Sequence, residues 1–249
     1  MFIDTHCHIH EADFPLSIDE TLSDAKDAGV DTIICVGTSE ASSRAALTFA
    51  TSHQYCWASI GVHPHDTKDG YANIESLAHS SQKIVAIGEI GLDYFYTNSP
   101  KDVQIKALED QIKVAVAHDL PIIFHVRDAF DDFWPIFNKY PGIRGELHSF
   151  TDTKANLDIA LEKGLYIGVN GISTFTKDEA HKEMFDSIPL DRLLLETDAP
   201  FLTPIPFRGK VNQPAYVRNI AEYHAKRRGI SLIEIASATT ANAKKLFAI

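Results

Sequence analysis

Residues 84–94 read IVAIGEIGLDY. The first five are almost continuously apolar, and Glu89, Asp93 and Tyr94 follow at once. A strand that is apolar at successive positions is buried on both faces, and such strands belong to parallel sheets covered by helices. Similar runs occur at 2–5, 32–36, 56–60, 121–125, 145–148, 166–169 and 193–197, which makes eight. TIIC, LPIIFHV and RLLLE are as continuous as IVAIG.

Helical signals lie between the runs. SIDE, at 17–20, has capping-box spacing ahead of a helix that ends near Gly29. Ile105, Leu108, Ile112 and Ala115 recur at helical spacing within 103–118. Residues 155–163 precede Gly164, a C-terminal cap. Residues 214–228 and 231–247 read as two closing helices, the second opening on another capping box, SLIE. Eight strands separated by helices in 249 residues have the rhythm of an α/β chain folded as a single (β/α)8 TIM barrel over 1–249. A doubly wound open sheet is the competitor, but no glycine-rich phosphate loop follows the first strand.

A barrel of this kind places its chemistry just past the strand ends. The first strand leads into His6 and His8, the third into His63 and His65, and the fourth into Glu89, Asp93 and Tyr94. The fifth carries His125, Arg127 and Asp128, the sixth His148, and the eighth Glu196 and Asp198. In MFIDTHCHIH the alternation of a strand puts Asp4, His6 and His8 on one side and Cys7 on the other, packed against helices.

Four imidazoles and two carboxylates, His6, His8, Glu89, His125, His148 and Asp198, form an N/O donor set suited to borderline divalent ions. Six donors exceed the needs of one tetrahedral ion, so two ions about 3.5–4 Å apart are expected. Strands 8 and 1 are neighbours in a closed barrel, as are 5 and 6. His6, His8 and Asp198 therefore fall to one ion and His125 and His148 to the other, with Glu89 as the bridge.

Composition narrows the partners. Thirty-four acids against 23 bases give a net charge of −11, which excludes coating of nucleic acid by bulk electrostatics but not a local site where metal supplies positive charge. Cys7, Cys35 and Cys56 have no disulfide or metal-type spacing. The opening residues lack a signal-peptide pattern, and no apolar run has membrane-spanning length. A cytoplasmic protein is expected, with no membrane association and no obligate protein partner.

The stretches DTHCHI, GVHPH, GEIGLDY, HVRDA, HSF, ETDAPFLTP and RGKVNQPAYV follow one another from residue 4 to residue 217. In this order they resemble the TatD family of metal-dependent hydrolases, within the amidohydrolase-like barrels. The resemblance implies a (β/α)8 barrel, a divalent-metal centre and deoxyribonuclease activity on DNA strand ends, often 3′→5′ exonucleolytic. Carried over by motif, the implied ligands are the same six residues. Asp152 stands where many members have glycine, and Gln213 where many have glutamate. Both fall in loops and bear on substrate preference, not on the ligand set.

The chemistry of such a centre and the positions of the remaining residues at the same rim give them their expected roles. Two divalent ions, Mg²⁺, Mn²⁺ or Zn²⁺, activate a water, and Asp198 both ligates and accepts its proton. Asp198, Glu89, His63 and Arg127 are the expected catalytic set. His63 and Arg127 meet the phosphate, Tyr94 and Phe95 stack a base, and Arg208 and Asn212 serve phosphate from the loop after strand 8. Glu196 orients a ligand from behind. The rival is an amidohydrolase or a deacylase, acting on aminoacyl-tRNA or a small amide or ester with the same centre.

Overall fold

The computed structural model describes residues 1–96 and 98–249. Its strands are β1 (Phe2–Cys7), β2 (Val30–Val36), β3 (Cys56–Ile60), β4 (Ile84–Asp93), β5 (Ile122–Arg127), β6 (Gly145–Leu147), β7 (Tyr166–Val169) and β8 (Leu193–Leu195). Its helices are α1 (Ile18–Asp27), α2 (Glu40–Ser52), α3 (Ile74–Ala78), α4 (Lys101–Ala117), α5 (Phe130–Phe137), α6 (Lys154–Glu162), α7 (Ile172–Phe175), α8 (Glu179–Ser187), α9 (Val217–Arg228) and α10 (Leu232–Phe247). The strands follow one another in the sheet in chain order. The ladders β3–β4, β4–β5, β5–β6 and β7–β8 are all parallel. This is the α/β alternation that the eight apolar runs predict.

By its internal contacts the chain divides into two compact units, Met1–Ile34 with Ser149–Ile249, and Cys35–His148. In the first, β1 is buried at every residue. Cys7 is fully buried and its thiol faces the Ile34 carbonyl at 3.7 Å, away from the histidines. The chain beyond β8 runs beside β1: Asp198 N–H donates to His6 O at 2.9 Å, and His8 N–H to Ala199 O at 2.7 Å. The serine half of each capping box forms, with Ser17 accepting from Glu20 N–H and Ser231 from Glu234 N–H. Gly164, just past α6, has φ 78°, the left-handed turn that ends a helix.

In the second unit β4 is buried at all ten residues and pairs with β5 as far as Asp93 opposite Arg127. Gly91 makes that approach possible, because a Cβ there would lie 1.7 Å from the His125 carbonyl oxygen. Behind β5, Phe124 meets Phe133 of α5 edge to face at 5.1 Å, and both are fully buried. Aromatic pairs of this geometry add to simple burial.

β3 and β7 have the expected bounds, and two of the other six strands show why the bounds shift. β4 continues five residues past its apolar run, because Glu89 and Asp93 turn to imidazoles rather than to solvent and so remain inside the ladder. β8 stops at Leu195 because the Thr197 N–H goes to Asp4 Oδ1 at 2.8 Å, so a side chain takes the place of a strand partner.

Candidate metal centre

In the first unit, His6 and His8 come from the end of β1 and Asp198 from the turn after β8. His6 Nε2 and His8 Nε2 are 3.2 Å apart, and Asp198 Oδ1 lies 3.6 Å from the former and 3.4 Å from the latter. A tetrahedral ion bound at 2.0–2.1 Å sets its donors about 3.3–3.4 Å apart. The three atoms therefore already stand at the spacing of three corners of one coordination sphere. Asp198 has φ 58°, a left-handed backbone uncommon outside glycine, asparagine and aspartate. This turn brings its carboxylate back over β1.

Asp4 lies behind this group, fully buried. It accepts from Thr197 N–H at 2.8 Å and Thr197 Oγ1–H at 2.6 Å. Burial pushes its carboxyl up to about 8, despite those hydrogen bonds. Glu196 Oε1 accepts from Ser149 N–H at 2.7 Å, and a Cβ on Gly168 would lie 2.4 Å from its other oxygen. Glu196 thus braces the turn after His148 through Ser149.

In the second unit, Glu89 Oε1 is the convergence point. His125 Nδ1 lies 2.8 Å from it, His63 Nε2 3.6 Å and His148 Nε2 3.7 Å. His63 Nδ1 accepts the His65 N–H at 3.1 Å. Burial, then the neighbouring His125, hold His63 well below the ordinary histidine range, so it is neutral. A neutral imidazole that accepts at Nδ1 carries its proton on Nε2 and is a donor there, not a ligand. His63 is accordingly suited to an anionic oxygen. Glu89, His125 and His148 are the residues of this group that the sequence names as expected ligands.

His125 is held from both sides, with Nε2 2.9 Å from Asp93 Oδ2. Burial pulls its basicity down, but hydrogen bonds to Asp93 and Glu89 outweigh it and raise His125 above the usual value. Asp93 also takes His65 Nε2–H at 3.0 Å. Burial works against ionisation of Asp93, yet the His125 hydrogen bond and the Tyr96 N–H keep it well below the carboxylate range. The sequence puts Asp93 and His65 at strand ends without a role, and the signal that joins them is the second histidine of GVHPH.

The other expected residues take these places. Arg127 lays its guanidinium over Phe95 at 3.9 Å and Tyr96 at 5.2 Å, and both aromatics are about half exposed. Tyr94 donates its hydroxyl to Asp132 at 2.8 Å and lies under Lys101 at 3.8 Å. Arg208 donates to the Thr203 carbonyl at 2.8 Å and stacks on Phe175 at 3.8 Å. Asn212 is fully buried, donating to the Thr197 and Phe201 carbonyls and accepting Gln213 N–H, so its polar atoms hold the loop that carries it. Asp152 accepts from Thr153 N–H and Asn156 at the start of α6.

Comparison with known proteins gives one consistent picture. Residues 3–248 match the model of the TatD related DNase family. The metal-dependent hydrolase YabD of Bacillus subtilis is 39% identical, with 100% of each chain covered. The 3′-5′ ssDNA/RNA exonuclease TatD of Citrobacter rodentium is 36% identical over 99% of this chain and 97% of its own. The crystal structure of YjjV, a TatD homologue of Escherichia coli K12, superposes with a TM-score of 0.91 at 31% identity, covering 100% of this chain and 98% of that one.

Proposed function

This chain belongs to the TatD family of metal-dependent hydrolases, and from that premise we propose that it is an exonuclease that shortens single-stranded nucleic acid from the 3′ end. It has the family's (β/α)8 TIM-barrel fold class and is a hydrolytic enzyme acting on ester bonds. We infer one catalytic domain over 1–249 that takes two divalent ions. His6, His8 and Asp198 hold one, and Glu89, His125 and His148 hold the other. The observation that carries this is the His6–His8–Asp198 triangle, whose 3.2, 3.4 and 3.6 Å edges match a coordination sphere. Mixed imidazole and carboxylate donors fit Zn²⁺ and Mn²⁺ better than Mg²⁺, which prefers oxygen.

A divalent ion in such a site supplies Lewis-acid polarisation and an activated water. The chain's own groups do the rest. The Asp198 carboxylate takes the proton as water attacks phosphorus, the bond from phosphorus to the 3′ oxygen of the preceding sugar breaks, and that oxygen leaves as a hydroxyl with a proton from solvent. The Nε2–H of His63 and the guanidinium of Arg127 donate to phosphate oxygens, where negative charge builds up. The exposed rings of Phe95 and Tyr96 offer a face for an unpaired base beside Arg127, which suits a strand end and not a duplex. Local cations and bound metal offset the net charge of −11 where the strand is gripped. We also infer a reducing, cytoplasmic setting, supported by three buried cysteines. Among the described residues no helix is long and apolar enough to cross a membrane.

The test is metal-stripped protein, alone and with Mg²⁺, Mn²⁺ or Zn²⁺, on single-stranded DNA labelled at its 5′ end. A metal-dependent ladder that shortens from the 3′ end, absent in Asp198→Asn, is the expected result. Intact DNA from protein that holds two ions would overturn the nuclease reading and turn attention to acylated and amide substrates.

A further inference from the structure

The proposed ligand set leaves Asp93 without a part, yet its carboxylate accepts four hydrogen bonds. It is 1% exposed. Oδ2 accepts from His125 Nε2 at 2.9 Å and from His65 Nε2 at 3.0 Å. Oδ1 accepts from the Phe95 and Tyr96 N–H groups, both at 3.0 Å. Its backbone is clamped as well: Asp93 N–H donates to Gln104 Oε1 at 2.9 Å, and Gln104 Nε2 returns a bond to Asp93 O at 3.1 Å.

The two nitrogens of His125 therefore face unlike surroundings. Nδ1 points to Glu89, where His63 and His148 also converge. Nε2 points into a closed acceptor already shared with His65. Only Nδ1 has company that a metal ion would have. A ligating histidine whose other N–H is fixed by a carboxylate is held in one tautomer and one orientation, and its basicity rises. We propose that Asp93 is a positioning residue: by holding the proton of His125 on Nε2 it commits Nδ1 to the metal, and by its other oxygen it fixes the turn that presents Phe95 and Tyr96 to substrate. The proposal rests on the reading that Glu89 and His125 hold an ion.

Asp93→Asn separates the two oxygens' duties. If the Asn carbonyl keeps the Phe95 and Tyr96 bonds, its NH₂ meets the Nε2–H of His125, donor against donor, and His125 is driven to the wrong tautomer. If the amide flips, the turn is released instead. Zn²⁺ affinity, measured against a competing chelator, is expected to fall about 10–100-fold for one of two ions, with the other unchanged. The visible spectrum of the Co²⁺ form should change with it, while far-ultraviolet circular dichroism of the metal-free variant matches that of wild type. Nitrogen-15 NMR of histidine-labelled, Zn²⁺-loaded wild type gives a second readout independent of any variant's folding. His125 should show a ligating Nδ1 and a protonated, exchange-protected Nε2.

Equal Zn²⁺ affinity in Asp93→Asn, or a His125 ligating through Nε2, would overturn the role of Asp93 and leave the metal centre standing. Wild-type protein that takes up no ion would overturn the metal centre itself, and this inference with it.

Discussion

Asp198 Oδ1 stands 3.4 Å from His8 Nε2, although the two residues come from opposite ends of the chain. Asp198 is the residue proposed both to ligate and to take the proton, and an amide does neither well. Asp198→Asn should lower kcat by roughly 10²–10⁴. Asparagine tolerates the left-handed backbone at φ 58°, so Tm should stay close to wild type. Steady-state assays beside a melting curve check both halves.

Glu89 Oε1 is the point on which the imidazoles of its unit converge. Glu89→Gln should reduce the bound ions from about two to about one, read by elemental analysis of dialysed protein. An unchanged count would move the second ion elsewhere.

Arg127 is poised over Phe95 with its guanidinium available to a phosphate. Hydrogen bonds to a charged group are worth about 1.5–3 kcal/mol, so Arg127→Ala should cost about 10–100-fold in kcat/KM on single-stranded DNA. Metal content should not change. A variant that cleaves normally would remove Arg127 from the phosphate.

His224 ties acid stability to a place outside the site. It is fully buried, its Nε2 lies 2.8 Å from Ser173 Oγ, and Nδ1 has no hydrogen-bond partner among the described residues. Burial, then Arg228, lower it to about 3, with Asp186 acting the other way and Arg227 adding to the fall. Between pH 6.5 and 3 the unfolded chain binds a proton at this residue and the folded chain does not. Stability from this group is complete above the upper limit and is lost as pH falls through that window, at up to about 1.4 kcal/mol per pH unit. Urea melts across the window should show the slope, and His224→Gln should flatten it.

Gly91→Ala tests the approach of β4 to β5. Its Cβ would meet the His125 carbonyl at 1.7 Å, a backbone atom that cannot step aside. A loss of at least about 3 kcal/mol is expected, visible as a lower urea midpoint. A wild-type midpoint would mean that the strands separate easily.

The strands, and with them the histidines and carboxylates at their ends, were legible because burial on both faces leaves a plain apolar signature, which IVAIG and TIIC display without interruption. The N-caps at Ser17 and Ser231 were legible for a similar reason, since their chemistry is local. What escaped depends on contacts distant in sequence. Nothing near Thr197 announces that Asp4 will take its N–H and end β8 early. Asn212 looks like a polar loop residue until its amide is seen donating inward to two carbonyls. Asp93 stands at a strand end among other polar residues, and only the meeting of β3 and β4 loops with His125 gives it partners. Arg127 has an acidic neighbour in sequence, Asp128, yet it stacks on Phe95.

The left-handed turn at Asp198 has a consequence for descent as well as for chemistry. A first-base transition turns either aspartate codon into an asparagine codon. Asparagine is also among the few residues at ease in that backbone. One nucleotide change is therefore expected to yield a chain that folds as this one does and turns over roughly 10²–10⁴ times more slowly. A duplicated gene released from selection at this codon would drift toward a silent scaffold with its architecture intact, and on the proposed role of Asp198 the letter at that position would mark it.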